Sequence, residues 1–190
     1  MRTVYAHNSA GFTLVEIVVA IAIFVSAITA VSAIFTYSNR SQRTTLAISE
    51  TQGDARFALE VIAQQIRRGS IDYADAQYGG SISSNPQDVL VLRDVLDNQV
   101  WFRRTTSGDR GIVEMSEDGL LWVDLTPPTV SVDVLRFYIS PSTDPFLASP
   151  ATNQQPLVTI TMVSSSTAVG TETIIPTYLQ TTVSSRQYVR

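Results

Sequence analysis

An apolar stretch from Ile17 to Asn39 constrains this chain more than any other feature, because it contains no charged side chain. As an α-helix it would be about 35 Å long, at about 1.5 Å per residue. The hydrocarbon core of a bilayer is about 30 Å thick, so the stretch is long enough to span it. The chain is therefore expected to place one helix in lipid, or in an equally apolar protein assembly.

A carboxylate stands directly before this stretch, at the end of the sequence Gly11-Phe12-Thr13-Leu14-Val15-Glu16. An acidic side chain at the centre of a spanning helix costs about 2.5–3.5 kcal/mol on insertion scales. Glu16 is therefore expected either to lie near the membrane surface, where it stays hydrated, or to be retained for a specific partner.

These six residues resemble the processing site of type IV prepilins and type II secretion pseudopilins, in which a glycine is followed by Phe-Thr-Leu-Val-Glu. The resemblance covers all six positions and follows a short leader, as it does in that family. It implies that a prepilin peptidase cuts between Gly11 and Phe12 and methylates the new amino terminus on Phe12. It also implies that Glu16 is the glutamate that guides the assembly of subunits into a type IV pilus or a type II secretion pseudopilus.

The same resemblance gives the expected partners and location. The partners are the prepilin peptidase, other pilin or pseudopilin subunits and an inner-membrane assembly platform. The precursor is expected to cross the membrane once, with a cytoplasmic N-terminus and its globular domain outside the inner membrane, and to enter a filament after processing. Arg2 agrees with this orientation, but Arg40 and Arg43 flank the other end of the span, so the orientation rests on the resemblance.

The composition excludes several classes of enzyme. The chain has no cysteine, and its one histidine, His7, lies in the expected leader. The mature protein would therefore lack cysteine nucleophiles, imidazole bases and the usual zinc ligands. We expect no enzymatic activity, no cofactor and no metal. The formal net charge of -4 also argues against a nucleic-acid-binding surface spread over the whole domain.

Beyond Arg40 the apolar residues follow a helical period. Ala55, Leu59, Ile62 and Ile66 recur on one face, and the sequence Arg67-Arg68-Gly69 is typical of a helix end. Arg56 and Glu60 stand four residues apart on the polar face and are expected to attract each other. Gly53 lowers helix propensity and is a candidate position for a bend. One long helix of about fifty residues is predicted, with a membrane-spanning first half and an amphipathic second half.

The second half of this helix resembles W-type minor pilins and the J-type minor pseudopilins. The resemblance rests on the run from Asp54 to Glu60, which contains Ala58-Leu59-Glu60, and on the closing Ile66-Arg67-Arg68. It implies a minor rather than a major subunit, in agreement with a sheet-rich domain that lacks a disulfide.

From residue 88 onward the pattern favours β-strands. A short buried run is predicted first, then three strands as an antiparallel meander, the last of which follows a hairpin turn at Asp118-Gly119, and three more strands near the C-terminus. The predicted strands are residues 89–92, 100–104, 112–115, 120–123, 130–139, 157–163 and 173–183. The predicted fold is α+β, a pilin-like lollipop in which the long helix packs on an antiparallel sheet. The predicted segments are a leader (1–11), a membrane or filament-core helix (12–39), its amphipathic continuation (40–69) and a β-rich globular domain (70–190).

Four alternatives stay open at this point. An ordinary signal peptide would be cut after Ala33 and would precede a secreted enzyme, although no catalytic constellation is apparent. Arg103 and Arg104, beside Trp101 and Phe102, would suit single-stranded DNA in a DNA-binding or adhesive tip subunit. Two acidic groups would suit calcium but lack the spacing of a ligand loop; they are Asp72 with Asp75, and Glu114 with Glu117, Asp118 and Asp124. The sequence does not distinguish a twitching pilus from a secretion pseudopilus or a competence pilus.

Overall fold

The computed structural model describes residues 11–78, 82, 84–147, 154–167 and 175–185. The chain divides into two compact units, residues 1–44 and 45–190. A single α-helix, α1 (Leu14–Arg68, 55 residues), begins in the first unit and ends in the second. Residues 1–10 of the predicted leader, His7 among them, lie outside the described residues.

The first half of α1 is apolar on every side. Its most apolar window of 18 residues has a mean hydropathy of 2.7, and none of that window is buried within the protein. Within the described part of the chain, α1 is the one helix long and apolar enough to cross a membrane, judged by length and composition. This agrees with the predicted span, because an uncovered apolar helix needs lipid or other helices around it.

The second half of α1 buries one face against the β-strands of its unit. The predicted stripe of Ala55, Leu59, Ile62 and Ile66 is buried at every position, which confirms the periodicity. The helix ends at Arg68, and the Gly69 amide donates to the Gln65 carbonyl at 2.8 Å. The helix is continuous through Gly53, so the bend considered there is not observed.

One predicted ion pair on this helix is wrong. Glu60 pairs with Arg67, two turns further along the helix, instead of with Arg56. Both spacings place the two side chains on one face of the helix, and the sequence alone does not choose between the two arginines. Arg56 is left exposed.

Eight strands form two antiparallel sheets in the described part of the chain. The first sheet has the order β1-β2-β3-β4-β5 and the second the order β6-β7-β8. The strands are β1 (Ser70–Ile71), β2 (Val89–Arg93), β3 (Gln99–Ser107), β4 (Arg110–Ser116), β5 (Val123–Asp124), β6 (Val130–Ser140), β7 (Leu157–Ser166) and β8 (Thr177–Ser184). A 3-10 turn (Ala76–Tyr78) lies between β1 and β2. A long helix packed on antiparallel sheets is the α+β fold class that was predicted.

The pairing of β3 with β4, the short run at β2 and the three long C-terminal strands are confirmed, but the third strand of the predicted meander, over 120–123, is wrong. Only Val123 and Asp124 pair with β4, and Leu120 to Trp122 form a loop. The Asp118 side chain accepts hydrogen bonds from the Leu120 and Leu121 amides, at 2.8 and 2.7 Å, which closes a tight local turn instead of a two-residue hairpin. The start of the last strand is Thr177, and residues 168–174 lie outside the described part.

Hydrogen bonds join the two sheets. The Arg104 guanidinium donates to the Val132 carbonyl at 2.6 Å, and the Gly111 amide donates to the Ser131 hydroxyl at 3.1 Å. Gln87 and Phe137 exchange two backbone hydrogen bonds of 2.7 and 2.9 Å. The core between the helix and both sheets is continuous. Its fully buried large side chains include Ile62, Ile66, Leu90, Phe102, Phe137 and Ile160.

Two hydroxyl groups hold the 3-10 turn and the end of β8 in place. The Tyr78 hydroxyl accepts from the Val91 amide at 2.8 Å and donates to the Val89 carbonyl at 3.3 Å, so the 3-10 turn is held against β2. Burial raises the pKa of Tyr78, and the phenol therefore keeps the proton that it donates. The Ser185 hydroxyl donates to the Gly69 carbonyl at 2.6 Å and joins the end of β8 to the end of α1.

Gly53 provides a test of the helix in the second unit. A Cβ added there meets no atom within 4 Å, and the residue lies inside α1. Gly53→Ala is expected to raise the free energy of unfolding by about 0.5–1 kcal/mol, because alanine loses less backbone entropy in a helix. Chemical denaturation of the detergent-solubilised chain measures this change. A lower stability would contradict the open, helical environment of this position.

Candidate processing and assembly site

The start of α1 is fixed by Thr13. The Glu16 amide donates to the Thr13 carbonyl at 3.1 Å and to its side-chain hydroxyl at 3.3 Å, and the Ile17 amide donates to the same carbonyl at 3.3 Å. Thr13 is therefore the N-cap residue, and Leu14 is the first residue of the helix. The spacing Thr-x-x-Glu from Thr13 to Glu16 is that of a capping box. The sequence analysis did not identify this role of Thr13, although the Thr-x-x-Glu spacing is present in the sequence.

Glu16 lies in the first turn of the helix, where the unpaired amides give a partial positive charge. This position favours a carboxylate, and the side chain is exposed. Glu16 also borders a shallow hollow on one side of the helix whose other lining residues are apolar; they are Phe12, Ile17, Ala20, Ile21 and Phe24. A negative charge is therefore present at the edge of an otherwise apolar surface.

Gly11 and Phe12 precede the helix and are accessible. Phe12 is 78% exposed, and a Cβ added at Gly11 meets no atom within 4 Å. Gly11 also lies outside the left-handed φ region that favours glycine. The described structure thus gives no reason of space or backbone conformation for a glycine at this position.

The small-residue stripe of Ala22, Ser26, Ala30 and Ala33 lies exposed on the helix. The Ser26 hydroxyl donates to the Ala22 carbonyl at 2.7 Å, and Thr29 and Thr36 donate in the same way to carbonyls four residues earlier. Each of these three hydroxyl protons is therefore satisfied within the helix, as an apolar environment requires. The stripe would let a second helix approach closely.

The acidic groups considered for calcium have other partners. Asp72 is buried and accepts from Arg93 at 2.9 Å and from Gln99 at 2.7 Å, and Gln99 also donates to Asp75 at 3.0 Å. Glu114 pairs with Arg103 at 3.0 Å. In the parts of the chain that the structure describes, no group of three or more Asp, Glu, His or Cys side chains is placed to hold a metal ion.

The aromatic and basic residues of β3 alternate across the sheet. Phe102 is fully buried, whereas Trp101 and Arg103 are half-buried on the other face. The Arg103 guanidinium lies 3.5 Å from the centre of the Trp122 ring and pairs with Glu114, and Arg104 donates to Val132. Both arginines therefore have structural roles within the domain.

Comparison with known families matches residues 6–32 to the family described as the prokaryotic N-terminal methylation motif. This match covers Gly11, Phe12 and Glu16 and ends within the first half of α1. It confirms the resemblance to type IV prepilins and pseudopilins, while the resemblance to the W and J types stays a prediction. Searches of the curated proteins and of the solved structures each found no significant match.

Proposed function

Since the chain carries the N-terminal methylation motif of type IV prepilins and pseudopilins, we propose that it is a filament subunit matured by a prepilin peptidase. The peptidase cuts after Gly11 and methylates the amino group of Phe12. The observation that carries this proposal is the motif itself, located at the accessible start of a long apolar helix. A structural role follows from this, rather than an enzymatic one.

The environment of Gly11 supports the cleavage site. The described structure has room for a side chain there, so the glycine is better explained by the needs of an enzyme that must bind this position closely. Phe12 is exposed beside it, and the regular helix begins only at Leu14. A peptidase can therefore reach the Gly11–Phe12 bond without unwinding α1.

The first half of α1 is proposed to hold the precursor in the membrane and to form the filament core after processing. The N-terminus is cytoplasmic, and the β-rich domain lies outside the inner membrane. Extraction into the filament by an inner-membrane assembly platform would exchange lipid contacts for contacts between helices, which the stripe of small residues favours.

Glu16 is proposed to pair with the methylated amino group of Phe12 on a neighbouring subunit. Both groups are charged and would be surrounded by apolar helices, so either one left alone would be destabilising. The pair sets the axial register between subunits, while the apolar surface supplies the adhesion. The position of Glu16 at the edge of an apolar hollow supports this role.

The subunit is proposed to be a minor pilin or pseudopilin. Two observations support this: the resemblance of α1 to W- and J-type subunits and the absence of cysteine from a sheet-rich domain. The alternative of a DNA-binding tip subunit gains no support from β3, because Arg103 and Arg104 are engaged within the domain.

The proposed processing is tested by the amino terminus of the mature protein. Mass spectrometry of the chain purified from a host with a prepilin peptidase is expected to find an N-methylated Phe12 as the first residue. In the Gly11→Val variant we expect the leader to remain on nearly all molecules, with the same fold as the wild type. Gly53→Ala is the matched control, because it also adds a side chain in open space but lies far from the motif.

Two results would contradict the proposal. One is a mature chain that begins elsewhere, such as after Ala33, where a signal peptidase would cut. The other is complete cleavage of Gly11→Val, which would remove the need for a glycine at this position.

A further inference from the structure

The loop between β4 and β5, residues 117–122, presents large apolar side chains to solvent; we call it the leucine loop. Leu120 is 83% exposed and Leu121 is 74% exposed, and Val123, which follows them, is 59% exposed. Single exposed leucines are common on protein surfaces, but consecutive ones on one loop indicate a contact site more specifically.

Hydrogen bonds hold the leucine loop in one conformation. Asp118 accepts from the Leu120 and Leu121 amides at 2.8 and 2.7 Å, and the Ser116 hydroxyl accepts from the Gly119 amide at 2.9 Å. The Leu121 and Leu120 amides keep the pKa of Asp118 below its usual range, so the carboxylate stays charged and bonded at neutral pH. A loop ordered in advance loses little entropy when it binds.

Aromatic and basic side chains pack against the base of the leucine loop. The Gly119 backbone lies over Trp101, and a Cβ there would be 3.4 Å from the indole ring. Trp122 stacks on Arg103, which pairs with Glu114 on β4. Gly119 has a φ of 71°, a conformation that a residue with a side chain rarely adopts. The two leucines are thus carried on a rigid base instead of a mobile tip.

A groove of about 460 Å³ lies between the second half of α1 and the edge strand β8. Leu59, Ala63 and Leu179 form its apolar part, and Arg56, Glu60, Gln180 and Thr181 form the rest. Among the residues that the structure describes, β8 is the outer strand of its sheet and no other strand covers the groove on that side.

The loop and the groove have complementary charge. The leucine loop contains Glu117 and Asp118 and no basic residue. In the groove Glu60 is neutralised by Arg67, whereas Arg56 forms no ion pair with any residue that the structure describes. An apolar loop bordered by acids therefore fits a groove that is apolar in part and bordered by this arginine.

We propose that the leucine loop of one subunit inserts into the α1–β8 groove of a second copy of this chain. The loop adjoins β5, the outer strand of the first sheet, and the groove adjoins β8, the outer strand of the second. The contact therefore joins two different surfaces, and repeating it builds an open chain of subunits instead of a closed symmetric dimer. An anionic membrane is a poor partner for the loop, because its headgroups repel Glu117 and Asp118.

This inference rests on the proposed function as a filament subunit, since a filament needs contacts between its subunits that do not close into a symmetric dimer. It needs two adjacent copies, so the contact is tested on the purified chain, in which every neighbour is another copy. It concerns surfaces of the second compact unit alone, so it is separable from the pairing of Glu16 with Phe12.

The natural chain contains no cysteine, which allows a clean crosslinking test. The full-length double variant Leu121→Cys/Gln180→Cys, purified in detergent, is expected to form a ladder of disulfide-linked dimers, trimers and larger species on mild oxidation. Leu121→Cys alone and Gln180→Cys alone are each expected to stay monomeric. The matched control pair is Leu121→Cys/Tyr138→Cys, because Tyr138 is 41% exposed on β6, away from the groove.

Charge reversal tests the fit in the same background. Arg56→Glu is expected to reduce the ladder at least about tenfold, since it places a third acid against Glu117 and Asp118. Adding Glu117→Arg to that variant is expected to restore most of the ladder. Both residues lie at the surface, and thermal unfolding of each variant confirms that the fold is retained.

Several outcomes would overturn the inference. They are a ladder no stronger than that of the control pair, dimers from Leu121→Cys alone, and a ladder that Arg56→Glu leaves unchanged. If lipid vesicles shield the thiol of the Leu121→Cys variant from a water-soluble reagent and no ladder forms, the loop belongs to a membrane instead. If the ladder is absent while the mature chain begins at Phe12 and filaments form, the inference fails and the proposed function stands.

Discussion

Glu16→Gln is expected to give a chain that is cleaved and methylated normally but is almost absent from filaments. The substitution keeps the size of the side chain and removes its charge, so in the proposed pairing the amino group of Phe12 on the neighbouring subunit loses its counter-charge. Leaving one member of a buried ion pair alone costs about 3–5 kcal/mol. Because about 1.4 kcal/mol changes an equilibrium tenfold, incorporation should fall by a factor of about 100 or more. Quantitative immunoblotting of sheared filaments against the membrane fraction measures this ratio.

Glu50→Gln is the matched control for this prediction. Glu50 lies on the same helix and is exposed, but it belongs to the second compact unit and is remote from Phe12 in the sequence. It should enter filaments as the wild type does. Normal incorporation of Glu16→Gln would refute the charge pairing, and loss of cleavage in that variant would mean that Glu16 acts on the peptidase step instead.

The second large effect is expected from Gly111→Ala, which should lower the stability of the β-rich unit by about 3 kcal/mol. Gly111 lies on β4 where the first sheet meets β6, and an added Cβ would overlap the Val132 carbonyl oxygen and lie 2.8 Å from the Arg104 guanidinium. Neither neighbour moves freely, because the carbonyl belongs to a strand and Arg104 donates to it. Overpacking of this kind costs about 1–3 kcal/mol, and more where the obstacle is backbone.

Thermal unfolding followed by near-ultraviolet circular dichroism checks this prediction. For a unit of this size a loss of about 3 kcal/mol corresponds to a decrease of about 10 °C in Tm. Gly108→Ala is the control, because Gly108 has a φ of 62° but open space around it, so only a backbone strain of about 1–2 kcal/mol applies. If Gly111→Ala were no worse than Gly108→Ala, the close junction of the two sheets at this point would be wrong.

The helix could be predicted closely from the sequence because its determinants are local. The apolar run after Glu16, the stripe from Ala55 to Ile66 and the terminal Arg67-Arg68-Gly69 each depend on residues a few positions apart. The structure confirms all three in one helix of 55 residues. The bend considered at Gly53 also came from a local signal, because glycine disfavours a helix. The neighbours of Gly53 on α1 are buried against the strands, and this packing overrides the local preference.

The division of the strands into two sheets could not be predicted, because it depends on pairings between distant residues. The bonds that join the sheets link Arg104 to Val132 and Gly111 to Ser131, and no local pattern specifies them. The strand predicted over 120–123 failed for a related reason. Apolar residues were assumed to be buried in a sheet, but Leu120 and Leu121 face solvent on a loop that Asp118 closes.

The candidate site could be located from the sequence because its motif is contiguous, from Gly11 to Glu16. What the sequence alone did not provide was the arrangement of its residues: Thr13 as the N-cap and, among the described residues, the lack of a steric need for glycine at position 11. The partner of Glu60 is a similar case, because only the structure shows that Glu60 pairs with Arg67 instead of Arg56.

The uncovered first half of α1 has a consequence for the synthesis of the protein. A finished chain released into the cytosol would expose a long apolar segment to water and would aggregate with other copies. The segment precedes every strand in the described part of the chain, so it leaves the ribosome before the β-rich unit exists. Insertion during translation would therefore place the apolar segment in the membrane before the strands fold.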